Sequence, residues 1–193
     1  GGKIVRIIVT HFHPDHLGLA AWLQERTGAP VCMTVGEYLT AHAVWHEVGG
    51  HGNQPMLRQF RAHGLDADRC AALERRSGGY NRGVPSLPTH YQRLFDGDQM
   101  AIGGHHWQVR IGFGHSPEHA ALYCAELGVL ISGDMLLPKI STNVSVFAVT
   151  PLADSLGDYL QSIDHYRELP AETLVLPSHG LPFHGIENRV AAL

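Results

Sequence analysis

Cysteine is scarce in this chain and never closely paired. The three thiols, Cys32, Cys70 and Cys124, are odd in number and far apart, which excludes a CxxC metal knuckle and a disulfide framework. They point instead to a reducing compartment and small buried thiols. Charge is also scarce. Charged residues make up 17% of 193 positions and the formal net charge is −4, so nothing draws the chain electrostatically to nucleic acid or an anionic membrane. No apolar run approaches the ~18 residues of a membrane span, and no charged-then-apolar leader opens the sequence. The expectation is a cytoplasmic protein with a small-molecule substrate and neither nucleic acid nor membrane as partner. A hydrophobic content of 44% suits a soluble globular chain, and the length suits one domain over 1–193.

Histidine, by contrast, is abundant, with 15 residues. Four metal-capable side chains fall together in Thr10-His11-Phe12-His13-Pro14-Asp15-His16, directly after the β-branched run Ile4–Thr10. Ligands at a strand end and its following turn rest on a rigid support, as a metal site requires. Three imidazoles and one carboxylate favour Zn, with Fe or Mn as alternatives. Ile4–Thr10 reads as a buried strand so close to residue 1 that further strands are expected upstream.

A helix is expected from Leu17 to Thr27, closed by Gly28, and a strand over 30–35 completes a βαβ unit. Residues 36–88 read as a helical insertion or lid, with helices over 36–48, 55–63 and 66–77, the last capped by Asp66, and then an irregular loop. Gly103-Gly104 marks a hairpin between strands 99–102 and 106–111. Strands 120–124 and 129–132 follow, then a helix over 156–169 with an apolar stripe at Leu156, Leu160, Ile163 and Tyr166. A last strand covers 173–176, and a helix begins near Glu187.

Four times, a strand in this reading ends in a turn bearing metal-capable side chains: the opening cluster, His115, Asp134 and His179. Strand ends are where ligands collect at a sheet edge. His11-x-His13-x-Asp15-His16, Gly114-His115-Ser116-Pro117, Gly133-Asp134 and Ser178-His179-Gly180 together resemble the metallo-β-lactamase superfamily. Their order matches, as do the intervals of 19 residues from His115 to Asp134 and 45 from Asp134 to His179, while the 99 residues from His16 to His115 are long. The resemblance implies an α/β fold, an αββα sandwich with N-terminal strands preceding the first motif. It implies one metal on His11, His13 and His115 and a second on Asp15, His16 and His179, with Asp134 bridging. Two divalent ions would share a hydroxide that attacks an acyl or phosphoryl centre, with Asp15 as proton carrier and Asp134 as the bridge. His13 argues against the flavodiiron branch, and the bridging Asp134 against true β-lactamases.

The expected function is cleavage of an ester, thioester or lactone of a small molecule, in the manner of glyoxalase II-like hydrolases. The alternatives are a metallo-nuclease, for which Arg58, Arg61, Arg69, Arg75, Arg76 and Arg82 are the only candidate track, a mono-iron persulfide dioxygenase, and a non-catalytic binding module. Lys139 and Tyr80 are candidate substrate contacts, with Trp45 and His51 as further pocket candidates. His119 is a candidate support that orients a ligand imidazole. His42 and His46, at i, i+4, lack a third ligand. Exposed sheet edges leave room for a homo-oligomer.

Overall fold

The computed structural model describes residues 2–75 and 79–193. In chain order the first sheet forms from β1 (Ile7–Ile8), β2 (Val31–Met33) and β3 (Gln92–Arg93), all parallel. Between β1 and β2 lie α1 (Pro14–Leu17) and α2 (Ala20–Thr27), so the expected βαβ unit is present, with its helix broken at Gly18. A Cβ on Gly18 would strike the carbonyls of Gly83 and Pro14, and only glycine lets the chain bend there. Gly28 closes α2 in the left-handed conformation at φ 70°, as expected of a C-cap. The opening strand is shorter than the sequence suggests. Residues 3–6 are exposed, Val5 at 73%, and only Ile7, Ile8 and the Val9 amide find partners in or beside β2.

The second sheet has the order β4 (Gln99–Ile102), β5 (His105–Gly112), β6 (His119–Cys124), β7 (Val129–Gly133), β8 (Leu174–Pro177). Its pairings are antiparallel except for β7 with β8. Every residue of β6 is buried, because both faces of the sheet are covered. Alternation along that strand separates two cores. Ala120, Leu122 and Cys124 pack with Cys32 and Ile8 of the first sheet, filling the space between the sheets. Ala121 and Tyr123 point the other way, towards Tyr159, Ile163 and Tyr166 of the helical layer. Val31 and Met33 cover the far side of the first sheet with Leu17, Ala20 and Ala41. The layers therefore run helix, sheet, sheet, helix, and the architecture is mixed α/β. All three cysteines are buried free thiols. Among the described residues, no helix is long and apolar enough to cross a membrane.

The helical stretch over 36–88 divides. Its first helix, α3 (Val35–Trp45), packs Ala41 into the core beside Val9 and Phe12, whereas α4 (Asn53–Ala62) and α5 (Ala67–Glu74) pack on each other. Asp66 caps α5 as expected, accepting the Arg69 amide at 2.8 Å. The helix closes at Arg75, and the part of the expected helix over 76–77 lies outside the described residues. A short α6 (Gly79–Gly83) stands where only loop was expected.

The helix expected over 156–169 is α7 (Ser155–Asp164) followed by a 3-10 turn at His165–Glu168. Half of its expected stripe is buried, Ile163 and Tyr166, and the other half is not. Leu156 and Leu160 are 58% and 40% exposed, and the buried face is Ser155, Tyr159, Ser162 and Ile163. Small residues are needed there because the chain passes very close at Gly112 and Gly114, where an added Cβ would strike Met135 and Ser155 respectively. Across this contact Ser162 Oγ accepts the Phe113 amide at 2.9 Å and Tyr159 donates to the Met135 carbonyl at 3.0 Å. One helix thus steadies the loops that carry His115 and Asp134. The last helix is α8 (Ile186–Ala191), close to where it was expected.

Glu37, in the first turn of α3, ties two more loops together. Its fully buried carboxylate accepts the Phe12 amide at 2.8 Å, the Ser116 hydroxyl at 2.7 Å and the Glu118 amide at 2.7 Å. Burial raises this carboxyl to about 7, against the pull of those three donors. Replacing Glu37 with Gln turns an amide group into this all-donor nest and leaves at least one buried donor unpaired. The expected loss is about 2 kcal/mol. Calorimetric melting should then show a Tm roughly 4–8 °C lower.

Candidate metal centre

The site lies where β1, β7, β8 and the β5–β6 connection end together. β1 hands the chain to His11 and His13, and the Thr10 carbonyl accepts the Ala120 amide at 2.9 Å, which fastens this strand end to β6. His115 sits on the connection that Glu37 and α7 hold. β7 runs into Asp134, and β8 into His179, with the Ser178 amide donating to the Gly133 carbonyl at 3.1 Å.

Seven side chains named from the sequence meet here in two groups, each with ligand atoms within 4.8 Å of one another. The first is His11, His13, His115 and Asp134. His11 Nε2 stands 2.9 Å from His13 Nδ1 and 3.2 Å from His115 Nε2, while Asp134 Oδ2 is 3.6 Å from His115 Nε2 and 3.9 Å from His11 Nε2. The second is Asp15, His16 and His179, with Asp15 Oδ2 3.5 Å from His16 Nε2 and 3.3 Å from His179 Nε2. Asp134 borders both, because Oδ1 is 3.5 Å from His16 Nε2 and Oδ2 is 3.5 Å from His179 Nε2. The groups differ in exposure. His11, His115 and Asp134 are buried, and Asp15 and His179 face solvent.

The donor set fits a cation. Bonds of ~2.0–2.1 Å to a tetrahedral ion place neighbouring ligand atoms about 3.3 Å apart, within the range seen here. In the first group, burial disfavours the charged form of the imidazoles. Burial lowers His11 far below the ordinary imidazole range, lowers His13 to about 4, and lowers His115. His115 Nδ1 lies 2.8 Å from the Asn143 carbonyl and 3.0 Å from the Thr142 hydroxyl, so its proton stays on that side and Nε2 turns a lone pair into the site. Burial alone would raise the Asp134 carboxyl, but His16 first, then His115 and His179, hold it down at about 2. His16 Nε2 and Asp134 Oδ1 are buried without any hydrogen-bond partner, which a bound cation would remedy.

Other expected contacts fall differently. The His119 ring packs against that of His11, with centroids 4.9 Å apart. Its Nε2 accepts the Asp134 backbone amide at 3.1 Å, which fixes the turn that delivers that carboxylate. Tyr80 is a structural prop, donating to the Phe12 carbonyl at 2.8 Å. Trp45 likewise donates to the Val84 carbonyl at 2.9 Å within the core around Phe12. Lys139 is exposed and does not line the cavity beside the site, whereas His51 does. His42 lies 3.3 Å from the Pro88 carbonyl, and neither it nor His46 joins a metal-capable group among the described residues. Arg58, Arg61, Arg69, Arg75 and Arg82 are exposed on and around α4 to α6, and Arg76 lies outside the described residues. Sequence reasoning missed Glu37, which offered no signal beyond a lone acid near a helix start.

Gly133 stands at φ 55° with the His119 ring directly against it, so an added Cβ would collide with the ring. Gly133→Ala is therefore expected to cost about 2–4 kcal/mol from overpacking and left-handed strain together. Thermal unfolding of the purified variant measures it.

The fold is shared with known proteins. A beta-lactamase domain protein from Burkholderia ambifaria superimposes with a TM-score of 0.87 at 43% identity, over 99% of this chain and 54% of that one. A metallo-beta-lactamase family protein from Thermus thermophilus gives a TM-score of 0.78 at 31% identity, over 98% of this chain and 59% of that one. A hydroxyacylglutathione hydrolase of Idiomarina loihiensis is 32% identical over 95 residues, 49% of this chain and 34% of that protein. The chain thus spans little more than half of the two solved structures and about a third of the hydrolase. The family model described as the metallo-beta-lactamase superfamily matches residues 1–179, and the chain belongs to that superfamily.

Proposed function

We propose that this chain is a metal-dependent hydrolase that holds two divalent ions, Zn2+ foremost, and cleaves an ester, thioester or lactone of a small molecule to an acid and an alcohol or thiol. The observation that carries the reading is Asp134, a carboxylate within 3.5–3.9 Å of imidazole nitrogens from both ligand groups. His11, His13 and His115 would hold one ion and Asp15, His16 and His179 the other, with Asp134 between them. Such ions supply Lewis acidity and lower the pKa of a coordinated water from ~15.7 toward ~7. Held near 2, the Asp134 carboxyl stays ionised at any working pH. Asp15 is placed for proton transfer, because its side chain is 57% exposed at the open edge of the site and its Oδ2 reaches two imidazoles. It can take a proton from the attacking water and return it to the leaving group. The similarity to a hydroxyacylglutathione hydrolase supports ester-type chemistry over phosphodiester cleavage.

A second reading follows from the unequal exposure of the two groups. The buried set of His11, His13, His115 and Asp134 would hold a single iron, as in a persulfide dioxygenase, with the exposed set vacant. Metal analysis separates the two, since two ions per chain support the hydrolase, and one iron with oxygen uptake supports the dioxygenase.

Replacing Asp134 with Ala should lower bound metal to one ion per chain or fewer. Hydrolysis should fall by more than ~100-fold, beyond the ~10–100-fold that losing an outer support costs. Near-normal turnover in that variant would sink the two-metal reading.

A further inference from the structure

Beside the first ligand group lies a cavity of about 240 Å³, at the small end of the ~300–1,000 Å³ typical of small-molecule pockets. His13 and His115 stand in its wall, so whatever fills it lies next to the reacting centre. The remaining walls are largely apolar, built by Phe12, Val44 of α3, Met56 and Phe60 of α4, and Val146 and Val149 of the loop before α7. Gln59 donates to the Val146 carbonyl at 2.8 Å and so fastens α4 to that loop. At the mouth, Gly50 lies so close to Val149 that a Cβ there would stand 3.1 Å from its methyl group. The cavity is thus formed by packed elements.

Its charge census is one-sided. Among the described residues no Lys, Arg, Asp or Glu lines it, and the titratable groups that face it are His13, His51 and His115. Arg58 and Arg61, on the same helix as Met56 and Phe60, are exposed to solvent. Away from the metal centre, a carboxylate or ammonium in this space would lose its water and meet no charged side chain in the lining, which is costly. An alkyl or aryl group would exchange water for apolar wall.

Resting on the hydrolase reading above, we propose that this cavity is the specificity pocket, and that the substrate is an ester or thioester bearing an uncharged, apolar group of roughly butyl to hexyl size next to the scissile bond. Anionic carrier groups belong outside the pocket. Preference is set by α4 and the loop over 145–149.

Two thioester series on the metal-loaded protein test this. In one the acyl group grows from acetyl through butanoyl to hexanoyl on a constant thiol. In the other the alkyl thiol grows on a constant acetyl group. In one of the two series kcat/KM should rise roughly threefold to fourfold per added methylene, the gain of burying that group. A terminal carboxylate on the longest member of that series should cost at least tenfold. Met56→Lys, at a partly exposed wall position, should narrow that penalty. Binding of hexanamide against its carboxylate-ended counterpart adipamate, followed by NMR without turnover, should favour hexanamide by a similar factor. Flat profiles in both series, or equal binding of the two amides, would overturn the pocket assignment while leaving the hydrolase reading intact. Absence of hydrolysis in every series would count against that reading, and the amide comparison would then decide the cavity's preference by itself.

Discussion

Imidazole nitrogens of His13 and His115 are held within 3.2 Å of His11 Nε2, although burial keeps all three rings neutral. Neutral rings so crowded have few protons to share among their nitrogens, and an unpaired carboxylate oxygen buried beside them is costly. Each ligand is fixed by contacts outside the cluster. β1 is hydrogen-bonded to β6 through Thr10, Asn143 holds the His115 ring, and His119 holds the Asp134 amide. A cation would turn the arrangement from a cost into a bonding site. The rest of the fold can be understood as the scaffold for that proximity.

Two devices carry most of the load. Glu37 bonds the peptide between His11 and His13 and the turn after His115 with one carboxylate, so these ligands cannot drift apart. On the opposite side α7 presses its small residues against Gly112 and Gly114 and reaches Met135, beside Asp134. Both use buried hydrogen bonds in a region of low dielectric, where they are worth more than at the surface. Rigid support of this kind is what catalytic geometry demands.

The uneven burial of the two ligand groups gives the site a direction. Its closed side, at His13 and His115, meets an apolar cavity, and its open side, at Asp15 and His179, meets water. In the proposed hydrolase, a substrate would lodge an apolar group on one side while proton transfer through Asp15 would run on the other.

Much of the site was legible in the sequence because ligand chemistry and strand ends are local. His11, His13, Asp15, His16, His115, Asp134 and His179 each follow or adjoin a strand with clear β-branched or alternating character, and such ends gather at a sheet edge. The hairpin at Gly103-Gly104, the Gly28 cap and the Asp66 cap are likewise decided within a few residues. What the sequence could not decide was set by groups distant along the chain. The length of the opening strand depended on which of its residues found a partner in β2. The buried face of α7 was chosen by the close pass at Gly112 and Gly114, which outweighed the apolar pull of Leu156 and Leu160. Glu37 gained its role, and Tyr80 its place as a prop, only when the loops of Phe12 and Ser116 were brought together. The sequence by itself thus determined which atoms can donate to a metal and in what order they arrive. Tertiary structure alone decided which way their lone pairs point and what lines the space beside them, because both depend on hydrogen bonds and packing between segments far apart in the chain.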